Sequence, residues 1–407
     1  MRNSFRVAVR KFDPFESAIR KQWECFAGQC ASGLTLDLVA MDLHPLYGAL
    51  LEDNGLQRGD FDVAFINTDW LAIADRQNAV LDLAPYISRN PPDDYPVGWA
   101  ESLLRLQSVN NRVIGLPYHD GPETLIYRTD LFFDPAEQAA YFNLYGKALC
   151  PPTTWAEFRR IACFFQRPGD NLYGTAFAAF PDGHNTVYDF LIQLWTRDGE
   201  LFDSSGKLAL ASPQAADALA FYRSMIQDQS ETHPGCRDFD SVKAGLAFAR
   251  GEVAMMVNWF GFAAMAQTIP TSGIRGCIDL APIPHAEGAF STSLNVYWLL
   301  VIAAGSPHAD ISYAFLRHCM SPEMDKLLTL EGGVGCRKST WADPEVNQII
   351  PFYHRLGELH ENARELPAIE AWPQIASLID EMIVLAIETE TPIQQILEGA
   401  QARAQAI

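Results

Sequence analysis

The segment VIGLPYHDGPETLIYRTDLFF, residues 113–133, constrains the fold of this chain more than any other. Val113, Ile114 and Leu116 form an apolar run closed by Pro117. His119, Asp120, Gly121 and Pro122 interrupt it, and Leu125, Ile126 and Tyr127 resume before Thr129 and Asp130 start a helix. Two apolar strands joined by a short polar crossing suit a chain that steps from one sheet to another. Anything bound between two such sheets would meet this segment.

Strands and helices alternate through the first half. The pattern predicts strands over 5–12, 34–42 and 61–67, with helices over 16–26, 45–51 and 70–74. That βαβ rhythm predicts an α/β protein with a mostly parallel sheet and ligands outside the carboxyl ends of its strands. Thr154 with Glu157 forms a capping-box pattern. Ser212, Ser306 and Ser321 each precede a proline pre-set for a first helical position. No internal repeat or long Pro/Gly linker appears, so two separately strung domains are not expected.

A chain of 407 residues with 48% hydrophobic and 20% charged residues can bury a large core and make more than one domain. A net charge of −20 argues against nucleic acid as a partner, because phosphates would be repelled. No apolar run reaches bilayer-spanning length. Met1 to Ser4 run directly into the alternating strand Phe5 to Arg10, with no apolar signal region. Either an export signal has been removed or the protein is cytoplasmic. None of the eight cysteines stands in CxxC spacing, which disfavours zinc. Cys25 and Cys30, five apart on one helix, diverge too far for easy bridging. Buried free thiols are expected, with one or two bridges as the alternative.

The 113–133 segment resembles the first inter-lobe crossover of the extracellular solute-binding proteins of ABC importers, in the carbohydrate-binding group that includes maltose-binding protein. Further motifs follow in the expected order: DVAFINTDWLAIADRQNAVLDLAPYI from Asp62, PPTTWAEF from Pro151, GEVAMMVNW from Gly251, and the glycine-rich return around GGVGCRKS. The resemblance implies a two-lobed periplasmic binding protein type II fold, each lobe a mostly parallel sheet flanked by helices. It implies lobes of residues 1–120 with 285–333 and 121–284 with 334–407, and hinge crossings near 118–124, 282–293 and 331–336. It also implies a monomer in the periplasm that delivers a small carbohydrate to the transmembrane permease subunits, without catalysis, metal or cofactor.

Tryptophans at loop-like strand ends are the strongest candidates for ligand contact: Trp70 after Thr68 and Asp69, Trp259 after Asn258, Trp298 after Tyr297, and Trp372 in a proline-flanked turn. An indole face matches the apolar face of a pyranose, and burying about 80 Å² per stack contributes about 2 kcal/mol. Micromolar affinity needs about 8 kcal/mol, so two or three stacks and several hydrogen bonds are required. Trp23, Trp155 and Trp195 are read as core residues. Asp13 and Glu16 either accept sugar hydroxyls or cap the helix beginning there. Asp69 and Asp120 sit at strand ends that the resemblance directs into a cleft. His119 either contacts ligand or bonds the backbone, and Arg337 either reaches the cleft or pairs with an acid.

Two departures from the family pattern stand out. Val296-Tyr297-Trp298 replaces a Gly-Gly-Trp run, so Tyr297 is expected to narrow the pocket. Gly335 stands in place of a proline and is expected to loosen the third crossing. A polyol, an anionic sugar or an opine-like compound is the alternative ligand, and a cytosolic sensor the alternative role. A glycoside hydrolase explains neither the crossings nor the tryptophans, and no G-x-S-x-G, H-E-x-x-H or nucleotide-binding glycine pattern occurs.

Overall fold

The structure is a computed structural model that describes residues 3–30, 33–405 and 407, with the side chains of residues 29 and 30 outside the described set. The chain divides into two compact units. Unit 1 runs to Gly121 and resumes over Asn295–Glu361 and Leu366–Glu370. Unit 2 holds Pro122–Leu294, Asn362–Glu365 and Ala371–Ile407.

Unit 1 is built on a five-stranded sheet in the order Thr35–Met41, Ser4–Arg10, Val63–Asn67, Trp298–Ile302, Leu116–His119. The first three strands are parallel, as βαβ connections require. Trp298–Ile302 returns after the excursion through unit 2 and enters antiparallel to both its neighbours. The helix Asp13–Cys30 packs on this sheet through Phe5, Trp23, Phe26 and Phe315, with Phe5 and Trp23 stacked at 4.7 Å. The buried Asp62 carboxylate accepts from Arg6 N–H and Ser306 Oγ and contacts His308 Nδ1.

Unit 2 centres on Glu123–Arg128, flanked by Met255–Trp259 and Ile278–Ala281, all antiparallel. The helix Asn185–Trp195 is buried along its whole length. The α/β class therefore holds, but the sheets are mixed in unit 1 and antiparallel in unit 2, not mostly parallel. Strands that arrive from a crossing need not follow the βαβ direction rule. Leu116–His119 and Glu123–Arg128 do fall in different sheets, one in each unit.

Boundaries differ from expectation: residues 285–294 belong to unit 2, and Gly121, residues 334–361 and Leu366–Glu370 to unit 1. The placing of 334–361 has a clear cause. The buried Asp325 carboxylate accepts from Cys336 N–H at 2.8 Å, Arg337 N–H at 3.3 Å and Thr340 Oγ1 at 2.5 Å. Gly335 N–H donates to Thr329 Oγ1 and Tyr353 Oη. A Cβ on Gly335 would meet Asp325 Oδ2 at 2.3 Å. The return expected to be loose is thus pinned, and a proline there would have no N–H to donate.

The caps at Thr154, Ser212 and Ser321 form as read, each accepting from an N–H three residues on. Ser306 does not cap: the helix begins at Ala309, and Ser306 serves Asp62. Seven cysteines are free, and Cys25, Cys150 and Cys163 are exposed, contrary to the expectation of burial. The Cys30 side chain lies outside the described residues. Among the described residues no helix is long and apolar enough to cross a membrane.

Candidate functional site

In unit 1 the candidate residues gather where three strands end. Trp298 pairs with Asn67 on one side and His119 on the other. Its indole is partly exposed and meets Trp70 edge-on at 5.6 Å, with Phe15 and Phe65 also in ring contact. Trp70 also packs against Tyr47 and is 3% exposed, so it supports Trp298 instead of offering a face of its own. Thr68 is committed as well: its N–H donates to Tyr297 O and its Oγ1 accepts from Tyr297 N–H. Asp69 is half-buried beside it, with its N–H held by Asn67 Oδ1. Asp13 is exposed and Glu16 half-buried, both in the first turn of the helix Asp13–Cys30, where the helix dipole favours carboxylates.

His119 accepts from Val334 N–H at Nδ1, 2.9 Å, which places the ring proton on Nε2. Desolvation lowers its pKa to about 4, against an opposing pull from Asp120. The ring is therefore neutral near pH 7 and can donate from Nε2. Asp120 is buried, its Oδ2 accepting from His360 Nε2 at 2.6 Å, while Ser102 Oγ meets His360 Nδ1 at 2.9 Å. His360 lies flat on Trp341. This chain of bonds braces Asp120 inside unit 1, and Asp120 Oδ1 has no partner among the described residues.

In unit 1 two ligand-facing expectations fail, and for Arg337 the alternative of pairing with an acid holds. Arg337 is 1% exposed and its guanidinium donates to Asp93 O, Met320 O and Asp94 Oδ2 over the face of Trp99. It is a structural cation of the pinned return, not a ligand residue. Tyr297 is also 1% exposed, and its hydroxyl donates to Leu103 O. The tyrosine fills the core of unit 1 and does not narrow a pocket.

In unit 2 the strand Met255–Trp259 brings Asn258 and Trp259 to the same end as Glu123. Asn258 is buried, its amide spent on Ser241 O and Trp259 N–H, so it positions its neighbour. Trp259 is partly exposed and meets Tyr188 edge-on at 5.8 Å. Trp372 opens the helix Trp372–Glu388 and is 2% exposed, not presented on a turn. Trp23, Trp155 and Trp195 are core residues as read.

Sequence reasoning missed the carboxyls nearest Trp259. Glu123, directly opposite it across the strands, is buried with its pKa held well above the usual carboxylate range by desolvation and by Asp189. Asp189 accepts from Tyr222 Oη at 2.9 Å, and burial pushes its pKa up to about 7. A signal was available: Asp189 is the lone acid in the otherwise uncharged helix sequence NTVYDFLIQLW. Among the described residues no cluster of three His, Cys, Asp or Glu side chains is placed to hold a metal ion.

The sequence profile of bacterial extracellular solute-binding proteins matches residues 47–326. A putative binding protein of Brucella abortus is 25% identical over 249 residues, 61% of this chain. The chain thus spans only 55% of that relative's length. A probable ABC transporter-binding protein of Deinococcus radiodurans is 23% identical over 363 residues, 86% of this chain and 81% of the relative. Among solved structures, maltose-bound MalE3 of T. maritima superposes with a TM-score of 0.85 at 22% identity over 99% of each chain. An ABC transporter solute-binding protein of Agrobacterium radiobacter in complex with ribitol gives 0.87 at 21% identity, over 99% of this chain and 98% of the other. At these identities the likeness shows the two-lobed α/β fold.

Proposed function

The chain belongs to the bacterial extracellular solute-binding protein family, and from that premise we propose that it is the substrate-binding subunit of an ABC importer for a sugar or sugar derivative. The observation that carries this reading is the partly exposed indole that each unit sets among strand ends, Trp298 in unit 1 and Trp259 in unit 2. Near Trp298, the first-turn acids Asp13 and Glu16, Asp69 and the Nε2–H of His119 supply acceptors and a donor for hydroxyls. An indole that takes the apolar face of a pyranose while such groups take its hydroxyls is a carbohydrate-binding arrangement. Thr68, Trp70, Asn258 and Tyr297 act by holding these groups in place, Asp120 is braced next to His119, and Trp372 is a buried core residue.

In this reading the protein does no chemistry, needs no cofactor, works outside the cytoplasmic membrane as a monomer, and passes its ligand to permease subunits. A polyol is the second reading, favoured by the fold shared with the ribitol-bound protein. A polyol has no flat ring face and would lean on the carboxylates more than on the indoles.

A thermal-shift screen of sugars and alditols tests the proposal. A true ligand at a hundred times its Kd stabilises the native state by about 2.7 kcal/mol and raises the melting temperature by several degrees. Stabilisation by amino acids or peptides alone, with no response to any carbohydrate, would overturn the ligand class.

A further inference from the structure

Four carboxyl groups of unit 2 act on one another. Asp182 raises the pKa of both Asp189 and Asp380, and Asp189 raises that of Glu123. Tyr222 Oη donates to Asp189, Thr186 Oγ1 donates to Asp380 at 2.5 Å, and the N–H groups of His184 and Asn185 donate to Asp182. Among the described residues no lysine or arginine is one of the groups acting on Glu123 or Asp189.

Such a cluster would be an ordinary surface feature were it not for Glu123. This residue comes from a different element, the strand Glu123–Arg128, and is 4% exposed. Its Oε2 has no hydrogen-bond partner among the described residues. An unpaired buried carboxyl oxygen is unfavourable unless something else binds there. Trp259 lies opposite Glu123 across the strands, and Tyr188, which precedes Asp189 in the same helix, meets Trp259 edge-on. Trp259, Asp182 and His184 are partly exposed, so the cluster reaches the surface of unit 2.

Two carboxyls without a cation beside two aromatic rings match an organic ammonium, through charge-assisted hydrogen bonds and cation–π attraction. A divalent metal ion fits less well, since no three ligating side chains among the described residues are placed to hold one. We propose that Glu123 and Asp189, with Trp259 and Tyr188, form a subsite for a protonated amine, so that the preferred ligand is an amino sugar or an amino alditol. This rests on the carbohydrate reading above and sharpens it.

The groups facing the subsite are Asp182 and His184 from the loop before the helix Asn185–Trp195, Tyr222 from Pro213–Gln227, Cys236, and Asp380 from Trp372–Glu388. Without ligand, burial holds the pKa of both acids up, with Asp189 adding to the rise of Glu123 and Asp182 to that of Asp189. An ammonium favours the ionised forms, so binding releases protons and strengthens as pH rises from 5 to 8.

Calorimetric titration of the whole chain with matched probes, glucitol against glucamine and ribitol against ribamine, tests this. The amine of at least one pair should bind about tenfold tighter than its neutral partner at pH 8, and the advantage should shrink at pH 5. Glu123→Gln should abolish the preference, and Asp189→Asn should weaken it, which keeps the test open should one variant fold poorly. Equal binding of amine and neutral partner at pH 8 overturns the subsite and spares the carbohydrate reading. Failure of every neutral and amino carbohydrate to bind removes both.

Discussion

In unit 1 the Trp298 indole is enclosed by aromatic rings, with the acids and the histidine of the strand ends at its margin, whereas in unit 2 the Trp259 indole stands opposite a buried carboxyl. Phe15, Phe65 and Trp70 enclose the first indole, and the nearby histidine is neutral near pH 7 because burial lowers its pKa to about 4. The second indole meets the ring of Tyr188 and stands opposite Glu123. One α/β plan thus presents an indole held by packed rings in one unit and an indole beside buried carboxyls in the other. Packing secures the first, and the second keeps its polar capacity uncommitted.

The largest expected effect separates structure from binding in unit 1. Arg337→Ala strands three acceptors and removes the cation over Trp99, so stability should fall by about 4 kcal/mol. Ligand affinity of the folded fraction should stay unchanged. Urea unfolding and calorimetry together check this, and a large affinity loss with little destabilisation would return Arg337 to the site.

Next comes the direct contrast of the two indoles. Trp298→Ala opens a cavity among three aromatic side chains and should cost about 3 kcal/mol of stability. Trp259→Ala should cost about 1 kcal/mol of stability yet weaken binding by about 2 kcal/mol, roughly 30-fold. Equal stability losses would erase the distinction between a packed wall and an uncommitted one.

The pH dependence sharpens it further, because the two walls titrate with opposite sign. Asp189 has its folded pKa raised from 3.8 to about 7. Its contribution to stability is full below pH 3.8 and is lost as pH rises toward 7. His119 has its folded pKa lowered from 6.5 to about 4, so its contribution is full above pH 6.5 and is lost as pH falls toward 4. Asp325 in unit 1, raised to about 6, shares the sign of Asp189, so single variants must isolate each group. Asp189→Asn keeps an acceptor for Tyr222 and should gain on the order of 2 kcal/mol relative to wild type at pH 8. No gain should appear at pH 3.5, and urea midpoints at the two pH values measure the difference. The smallest effect is Thr154→Ala, which removes an N-cap and should cost about 1 kcal/mol. It serves as a control that changes unit 2 far from its acids in sequence.

Local signals were legible wherever neighbouring residues carry the information. The step between sheets at 113–133, the early βαβ elements and the caps at Thr154, Ser212 and Ser321 all depend on contacts within a few residues. Ser306 misled because its hydroxyl is taken by Asp62, a residue 244 positions away. Gly335 misled for a like reason: Asp325, Thr329 and Tyr353 tighten a return that glycine would otherwise free. Trp70, Trp372 and Trp298 look alike in sequence as tryptophans at predicted element ends, and only their packing separates support from display.

By itself the sequence determined the α/β class, the family and the step between two sheets, because periodicity, turn chemistry and ordered motifs are written in adjacent residues. Tertiary structure alone decided strand direction in unit 2, the placing of residues 334–361 in unit 1, and the burial of Glu123 where the charge of Asp189 acts on it. Those outcomes depend on which distant side chains share a desolvated space, and the penalty for burying a charge is set by that space, not by the residues next to it in the chain.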